Sequence, residues 1–317
     1  MSLTVLSRVA RDRARRRGIG AAALAAIALA GCATSPTGSG QGAAPRVVTV
    51  VAAENFWGSL AAQLGGSHAK ITSVITNPDA DPHDYEPTAA DGRAIAGAQL
   101  AVLNGVGYDA WATKLADANP SRSRTTLTVG DLVGAKDGDN PHRWYNPANV
   151  RTVLDAITAA YKKTDPADAA YFDAQHTALL TTNLKTYFAT IAAIRARYAG
   201  TPVGTSESIF AMLAPALGLD LRTPPAFLTA ISEGTDPTPA DKATIDAQIA
   251  NRQIKVYVYN SQNATPDIQA QVAAARARGI PVTTITETLT PAGASFQDWQ
   301  VAQLSALQTA LAVGTGQ

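Results

Sequence analysis

Short apolar runs rich in β-branched residues alternate along this chain with segments of helical periodicity, and that alternation restricts it to one broad class of fold. In the first half the runs are Arg46 to Ala52, Lys70 to Ile75, Leu100 to Asn104 and Thr125 to Val129. In the second they are Val203 to Ser206, Val256 to Asn260 and Val282 to Ile285. Strands separated by helices build parallel sheets with helices laid over them, an α/β fold. Two helix starts are readable. Thr88 and Asp91 have the spacing of a capping box, and Asp165-Pro166 places a cap residue before a proline where the first helical N–H has no partner to lose.

From Pro166 to Tyr198 no glycine or further proline interrupts the chain, and Leu180, Leu184, Phe188, Ile191, Ile194 and Tyr198 recur at helical spacing. The pattern predicts one long helix, ended at Gly200-Thr201-Pro202. At ~1.5 Å per residue it would run about 50 Å, longer than a single lobe needs, so a connector between lobes is its natural use. The weak helix formers Thr181-Thr182-Asn183 admit a kinked pair of helices as the alternative. The organisation that follows is an N-terminal α/β lobe over 46–165, a connecting helix over 166–199 and a C-terminal α/β lobe over 200–317. Both lobes are expected to be Rossmann-like, with a cleft between them.

Ahead of this body, Arg8, Arg11, Arg13, Arg15, Arg16 and Arg17 precede an apolar stretch, Ile19 to Ala30, that is shorter than the ~20 residues a spanning helix needs. Residues 1–31 therefore read as a secretory signal peptide. The string Leu29-Ala30-Gly31-Cys32 is similar to a bacterial lipobox, in which the cysteine becomes the lipidated first residue of the mature chain. Residues 32–45 are then a flexible tether, dense in Gly, Ser, Thr and Pro, that holds the protein to the outer face of the cell membrane. The whole chain has a formal net charge of +1, and six of its 26 lysines and arginines lie in the leader. The mildly acidic body that remains carries no basic stripe for a nucleic acid.

Half of the four histidines fall in two Pro-rigid segments, Asp81-Pro82-His83-Asp84-Tyr85-Glu86-Pro87 and Asn140-Pro141-His142-Arg143-Trp144-Tyr145-Asn146-Pro147. Proline fixes its own φ and biases its predecessor toward extended backbone, so each imidazole rides on a stiff loop, as a preorganised metal ligand would. His83 and His142 lie past the ends of predicted strands, and so do Thr205-Ser206-Glu207 and Thr286-Glu287-Thr288. The carboxyl ends of parallel strands are where α/β sheets bind ligands. His68 and His176 read as solvated, Glu207 has the alternative of capping a helix over 209–217, and Trp57, Tyr85 and Trp144 read as packing near the cleft.

These landmarks, with Asn104-Gly105 ahead of a helix containing Trp111 and the strand end at Pro281 to Thr288, resemble the solute-binding lipoproteins of bacterial zinc and manganese ABC importers. The resemblance covers the whole mature chain. It implies His83 and His142 from the first lobe and Glu207 and Glu287 from the second as ligands of one divalent cation. It departs from the pattern at Glu287, where carboxylate-type relatives usually present Asp. It further implies a monomer that delivers the ion to a membrane permease, with no catalysis. Glu233, in Ile231-Ser232-Glu233-Gly234, resembles a family loop near the cleft.

Two neutral imidazoles and two carboxylates around a divalent ion make a locally neutral unit that fills a four-donor shell. Carboxylates suit Mn²⁺ and imidazole suits Zn²⁺; the absence of a third ligand histidine and of a His-rich loop leans toward manganese, with Fe²⁺ also admitted. The competing classes are a metallohydrolase using the same His/Glu set, a surface adhesin, and a carrier of organic solutes. The first lacks any His-Glu-x-x-His helix, and the last is disfavoured by an aromatic content of 6%.

Overall fold

A computed structural model describes residues 47–78 and 85–317. The signal peptide, the tether, Cys32 and His83 lie outside the described residues. In chain order the elements are β1 (Val48–Glu54), α1 (Asn55–Gly65), β2 (Ala69–Ile75), α2 (Ala89–Gly97), β3 (Leu100–Leu103), α3 (Ala110–Ala118), β4 (Thr125–Thr128), α4 (Val129–Leu132), α5 (Pro147–Thr164), α6 (Ala169–Ala178) and α7 (Lys185–Tyr198). The second half continues with β5 (Pro202–Thr205), α8 (Ala214–Leu217), β6 (Asp220–Leu221), α9 (Pro225–Ser232), α10 (Pro239–Ala250), β7 (Val256–Asn260), α11 (Pro266–Ala277), β8 (Val282–Ile285) and α12 (Phe296–Thr315).

The strands form two four-stranded sheets of the same topology, β2-β1-β3-β4 and β6-β5-β7-β8, and every pairing is parallel. In each sheet the strand order reverses beside its first strand, which opens a crevice between β1 and β3 in one lobe and between β5 and β7 in the other. All the predicted strands are present within a residue or two of their expected bounds. The exception is β6, a two-residue edge strand too short to leave a period-2 signal.

Several helix starts follow their capping chemistry, but Asp165, expected to cap the segment that begins at Pro166, makes no side-chain bond to that turn. Thr88 and Asp91 form the full reciprocal capping box at α2. Asn146 accepts the N–H groups of Ala148 and Asn149 at α5, with Pro147 in the first turn, and so anchors the helix that follows the second histidine motif.

The expected single connector is interrupted. A 3₁₀ turn at Pro166–Asp168 leads into α6, which passes into a π-helical turn over Leu179–Asn183 before α7 begins. The cause lies in the Thr181-Thr182-Asn183 stretch. Thr181 Oγ1 bonds back to Thr177 O at 2.7 Å, and Asn183 Nδ2 leaves the helix to reach Gln63 Oε1 at 3.1 Å. The helix predicted over 209–217 is likewise divided, into a 3₁₀ turn at Phe210–Met212 and the short α8, because Pro215 has no N–H for a continuous ladder.

The largest apolar core runs through both sheets. It includes Val50, Ala52 and Trp57 from the first half and Val203, Val258 and Trp299 from the second, bridged by Tyr161, Phe172 and Tyr187 of the intervening helices. Lobes joined by a shared apolar core lose that burial if they separate, so the fold favours small relative motion.

Candidate metal centre

His142 sits in the loop between α4 and the 3₁₀ turn Arg143–Tyr145, and it is fully buried. Its position is built from the first sheet outward. Asp109 accepts the backbone N–H groups of Asn104 and Gly105, both at 2.7 Å, and fixes the turn after β3. Asn104 accepts from Trp57 Nε1 at 3.1 Å and donates through Nδ2 to Pro141 O at 2.9 Å. The proline before His142 is thereby tied to the crevice of the sheet. On the ring itself, Nδ1 lies 2.8 Å from Asn140 Oδ1 and 3.3 Å from Ser208 Oγ. Because an amide oxygen only accepts, Nδ1 carries a proton, which leaves Nε2 as the nitrogen that can bind a metal. Asn140 also donates to Ser208 O at 2.6 Å, and so couples the histidine loop to the second lobe.

Glu207 follows β5 and is fully buried; Glu287 follows β8 and is half-buried. Asn260, the last residue of β7, donates through Nδ2 to Glu207 Oε1 and to Glu287 Oε1, each at 3.1 Å. Asn263 donates to Glu207 Oε2 at 2.9 Å, and the Tyr108 hydroxyl reaches across from the first lobe to Glu287 Oε2 at 3.0 Å.

The backbone around Glu287 is held as well. Gln262 Oε1 accepts the N–H of Glu287, and its amide nitrogen donates to Pro78 O. Thr286 is gripped by three side chains: Tyr145 and Trp299 donate to it and Gln303 accepts from it, all within 2.8 Å. Burial raises the Tyr145 hydroxyl above its ordinary range, so it remains a donor here.

His142, Glu207 and Glu287 each offer one ligand atom such that all of these atoms lie within 4.8 Å of one another. Among the described residues this is the group of histidine and acidic side chains with metal-holding geometry. A buried imidazole facing two carboxylates suits a divalent cation, whose charge would offset both anions.

The other histidines are not solvated as expected, and neither belongs to this cluster. His68 Nδ1 lies 2.6 Å from Asp168 and its ring stacks on Tyr171, while His176 Nε2 lies 2.7 Å from Asp155. Glu233 is exposed and lines a cavity of about 400 Å³ between the lobes, together with Asn140 and Ser208. Trp57 and Trp144 are fully buried, and Phe56 stacks on Trp144 with ring centroids 4.0 Å apart.

Sequence patterns did not point to Tyr108, Asn140, Ser208, Asn260, Gln262 or Asn263 as parts of the site. The one available signal was positional: Asn104 and Asn260 both occupy crevice-forming strand ends.

A second acidic pair lies at the first lobe's crevice. Glu54 ends β1 and is fully buried beside Asp109, which is also fully buried. Burial, and then the neighbouring Asp109 charge, push the Glu54 carboxyl well above the usual range. Burial raises Asp109 too, while the N–H groups of Gly105 and Asn104 pull it back. Asp109 with its two donors is the member that ionises, and Glu54 holds the proton.

Residues 50–310 match the family model described as zinc-uptake complex component A, periplasmic. A manganese-binding lipoprotein, MntA, of Halalkalibacterium halodurans is 26% identical over 159 residues, 49% of this chain and 52% of the relative. The chain thus spans about half the length of that relative. The metal ABC transporter substrate-binding lipoprotein ScbA of Streptococcus cristatus is 23% identical over 266 residues, 77% of this chain and 81% of its own length. Among solved structures, the Mn-bound periplasmic metal-binding protein of Candidatus Liberibacter asiaticus superposes with a TM-score of 0.69 at 18% identity. That match covers 83% of this chain and 99% of the other, and it speaks to the fold.

Proposed function

From its place in the periplasmic zinc-uptake component A family, to which the chain belongs, we propose that this protein captures one divalent transition-metal ion, Zn²⁺ or Mn²⁺, between its lobes and delivers it to the permease of an ABC importer. The observation that carries the reading is the convergence of His142, from one lobe, with Glu207 and Glu287, from the other, within 4.8 Å in a largely buried cleft. His142 Nε2 and one oxygen of each carboxylate would hold the ion, with His83 completing the shell. Support for His83 comes from a described residue that precedes it in the chain: Gln262 holds both Pro78 O and the N–H of Glu287.

A shell filled by protein donors leaves no position for an activated water, so the reading is of a carrier and not of an enzyme. The family and the names of the relatives support an extracytoplasmic protein lipid-anchored through Cys32, outside the cytoplasmic membrane.

Calorimetry on purified protein stripped with chelator tests this directly. One equivalent of Zn²⁺ or Mn²⁺ should bind per chain. A chain that takes up neither ion is not a metal carrier. The continuous core and the bonds from Tyr108 and Asn140 to the second lobe lead to a further expectation. Small-angle scattering of metal-free and metal-loaded protein should give nearly superimposable profiles, and a hinge closure large enough to shift the radius of gyration would contradict the shared-core account.

A further inference from the structure

Asn260 ends β7 at the crevice of the second sheet and is fully buried. Its backbone N–H donates to Ser206 Oγ at 3.0 Å, and its Oδ1 accepts the N–H of Gln262 at 2.9 Å. The amide orientation is therefore determined: an oxygen that accepts from a backbone N–H leaves Nδ2 as the atom facing the carboxylates. Its hydrogens serve Glu207 Oε1 on one side and Glu287 Oε1 on the other. The remaining oxygens accept from other donors, Glu207 Oε2 from Asn263 and Glu287 Oε2 from Tyr108.

A carboxylate that chelates a cation through both oxygens must turn the bisector of its O–C–O angle toward the ion. Here each of the four carboxylate oxygens accepts from a neutral donor, and those donors resist that turn. We propose that Asn260 is a positioning residue that holds Glu207 and Glu287 in one-oxygen coordination, and so biases the site toward a four-coordinate cation such as Zn²⁺ over the six-coordinate, oxygen-rich shell that Mn²⁺ takes. This rests on the carrier reading above. It runs against the manganese lean of the residue types alone, because geometry limits how many oxygens those types can contribute.

The test compares wild type, Asn260→Ala and Tyr108→Phe, using Zn²⁺, Mn²⁺ and Co²⁺ as probes. Affinities come from competition titration, and coordination number from the visible absorption of the Co²⁺ form, intense when four-coordinate and weak when six-coordinate. Zinc binds such sites more tightly than manganese in any case, so the readout is the change in their ratio. In Asn260→Ala, Zn²⁺ affinity should fall about 10- to 100-fold, as for loss of an outer-shell partner, Mn²⁺ affinity should fall less, and the Co²⁺ absorption should weaken.

Tyr108→Phe keeps its ring in the packing around Phe56 and Trp144 and removes the donor on Glu287 Oε2. It should shift the ratio in the same direction by a smaller factor, and it carries the test if Asn260→Ala does not fold. Parallel losses of Zn²⁺ and Mn²⁺ with an unchanged Co²⁺ spectrum would overturn the role of Asn260 and leave the carrier reading intact. A wild-type protein that binds none of the three ions would remove both.

Discussion

Glu287→Gln should raise the melting temperature of the metal-free protein while lowering its affinity for Zn²⁺ and Mn²⁺ by more than 100-fold. The two effects have one origin. Glu207 and Glu287 bring ligand oxygens within 4.8 Å of each other, and two like charges at that separation repel by about 3 kcal/mol at an effective dielectric constant near 20. The shared Asn260 amide offsets part of this.

A glutamine at 287 keeps the geometry. Its oxygen still accepts from Asn260, and its amide nitrogen can donate to the Tyr108 hydroxyl, which reverses its role without moving. One anion is lost while both of these hydrogen bonds are kept. A gain of several degrees follows, since roughly 1 kcal/mol corresponds to about 2–4 °C in a domain of this size class.

Metal binding reverses the order, because the ion draws its affinity from the charge that was removed. The stabilisation that a ligand confers, about 2.7 kcal/mol at one hundred times its dissociation constant, should disappear in the variant at metal concentrations that protect wild type. His142→Ala separates the two contributions. It should lose the same metal-dependent shift with no gain in the metal-free state, since it removes a buried ring from contact with Tyr108 and Trp144. Thermal melts with and without metal on wild type and both variants decide the matter. A Glu287→Gln protein that melts below wild type without metal would show that the paired carboxylates carry no stored repulsion.

Signals that act within a few residues were readable in the chain, and signals that depend on distant juxtaposition were not. The strands at Val48–Glu54 and Val256–Asn260 announce themselves because both faces are buried and β-branched side chains crowd the run. Asp220–Leu221 gives no such pattern, since a two-residue edge strand is held by bonds to a distant strand, Asp220 N–H to Thr201 O and Arg222 N–H to Val203 O. The π turn at Leu179–Asn183 was foreshadowed by weak helix formers, but the partner that draws Asn183 away, Gln63, is far off in sequence.

The same division holds at the centre. Residues with ligand chemistry at strand ends, His142, Glu207 and Glu287, stand out one by one. The neutral donors that orient them do not, because asparagine and tyrosine are unremarkable in any loop until Tyr108 is brought against Glu287 and Asn260 between two carboxylates. Glu54 was equally silent. A glutamate after an apolar strand reads as a solvated end, and only the folding of Asp109 against it makes it a buried acid.

Glu54 supplies the second large effect, one of pH. Its carboxyl is fully buried, and burial and the Asp109 charge both raise its pKa in the folded state. In the unfolded chain it ionises in the ordinary glutamate range, near 4.3. The folded state therefore binds the proton more tightly, and the sign follows from linkage. The contribution of Glu54 to stability is complete below the unfolded pKa and is lost as pH rises from there toward the folded pKa. Across that window the loss is roughly 1.4 kcal/mol for each pH unit, opposite in direction to that of a salt-bridged carboxylate.

Glu54→Gln has nothing to ionise and keeps the size and shape of the buried side chain beside Asp109. The variant should match wild type near pH 4 and become more stable than wild type as pH rises above the ordinary glutamate range. Metal affinity should stay unchanged, because Glu54 lies at the first lobe's crevice and outside the His142, Glu207 and Glu287 cluster. Urea denaturation of both metal-free proteins at several pH values between 4 and 8 measures the divergence. If the two stability curves run parallel instead, Glu54 is ionised in the folded state and a compensating cation has to be sought beside Asp109.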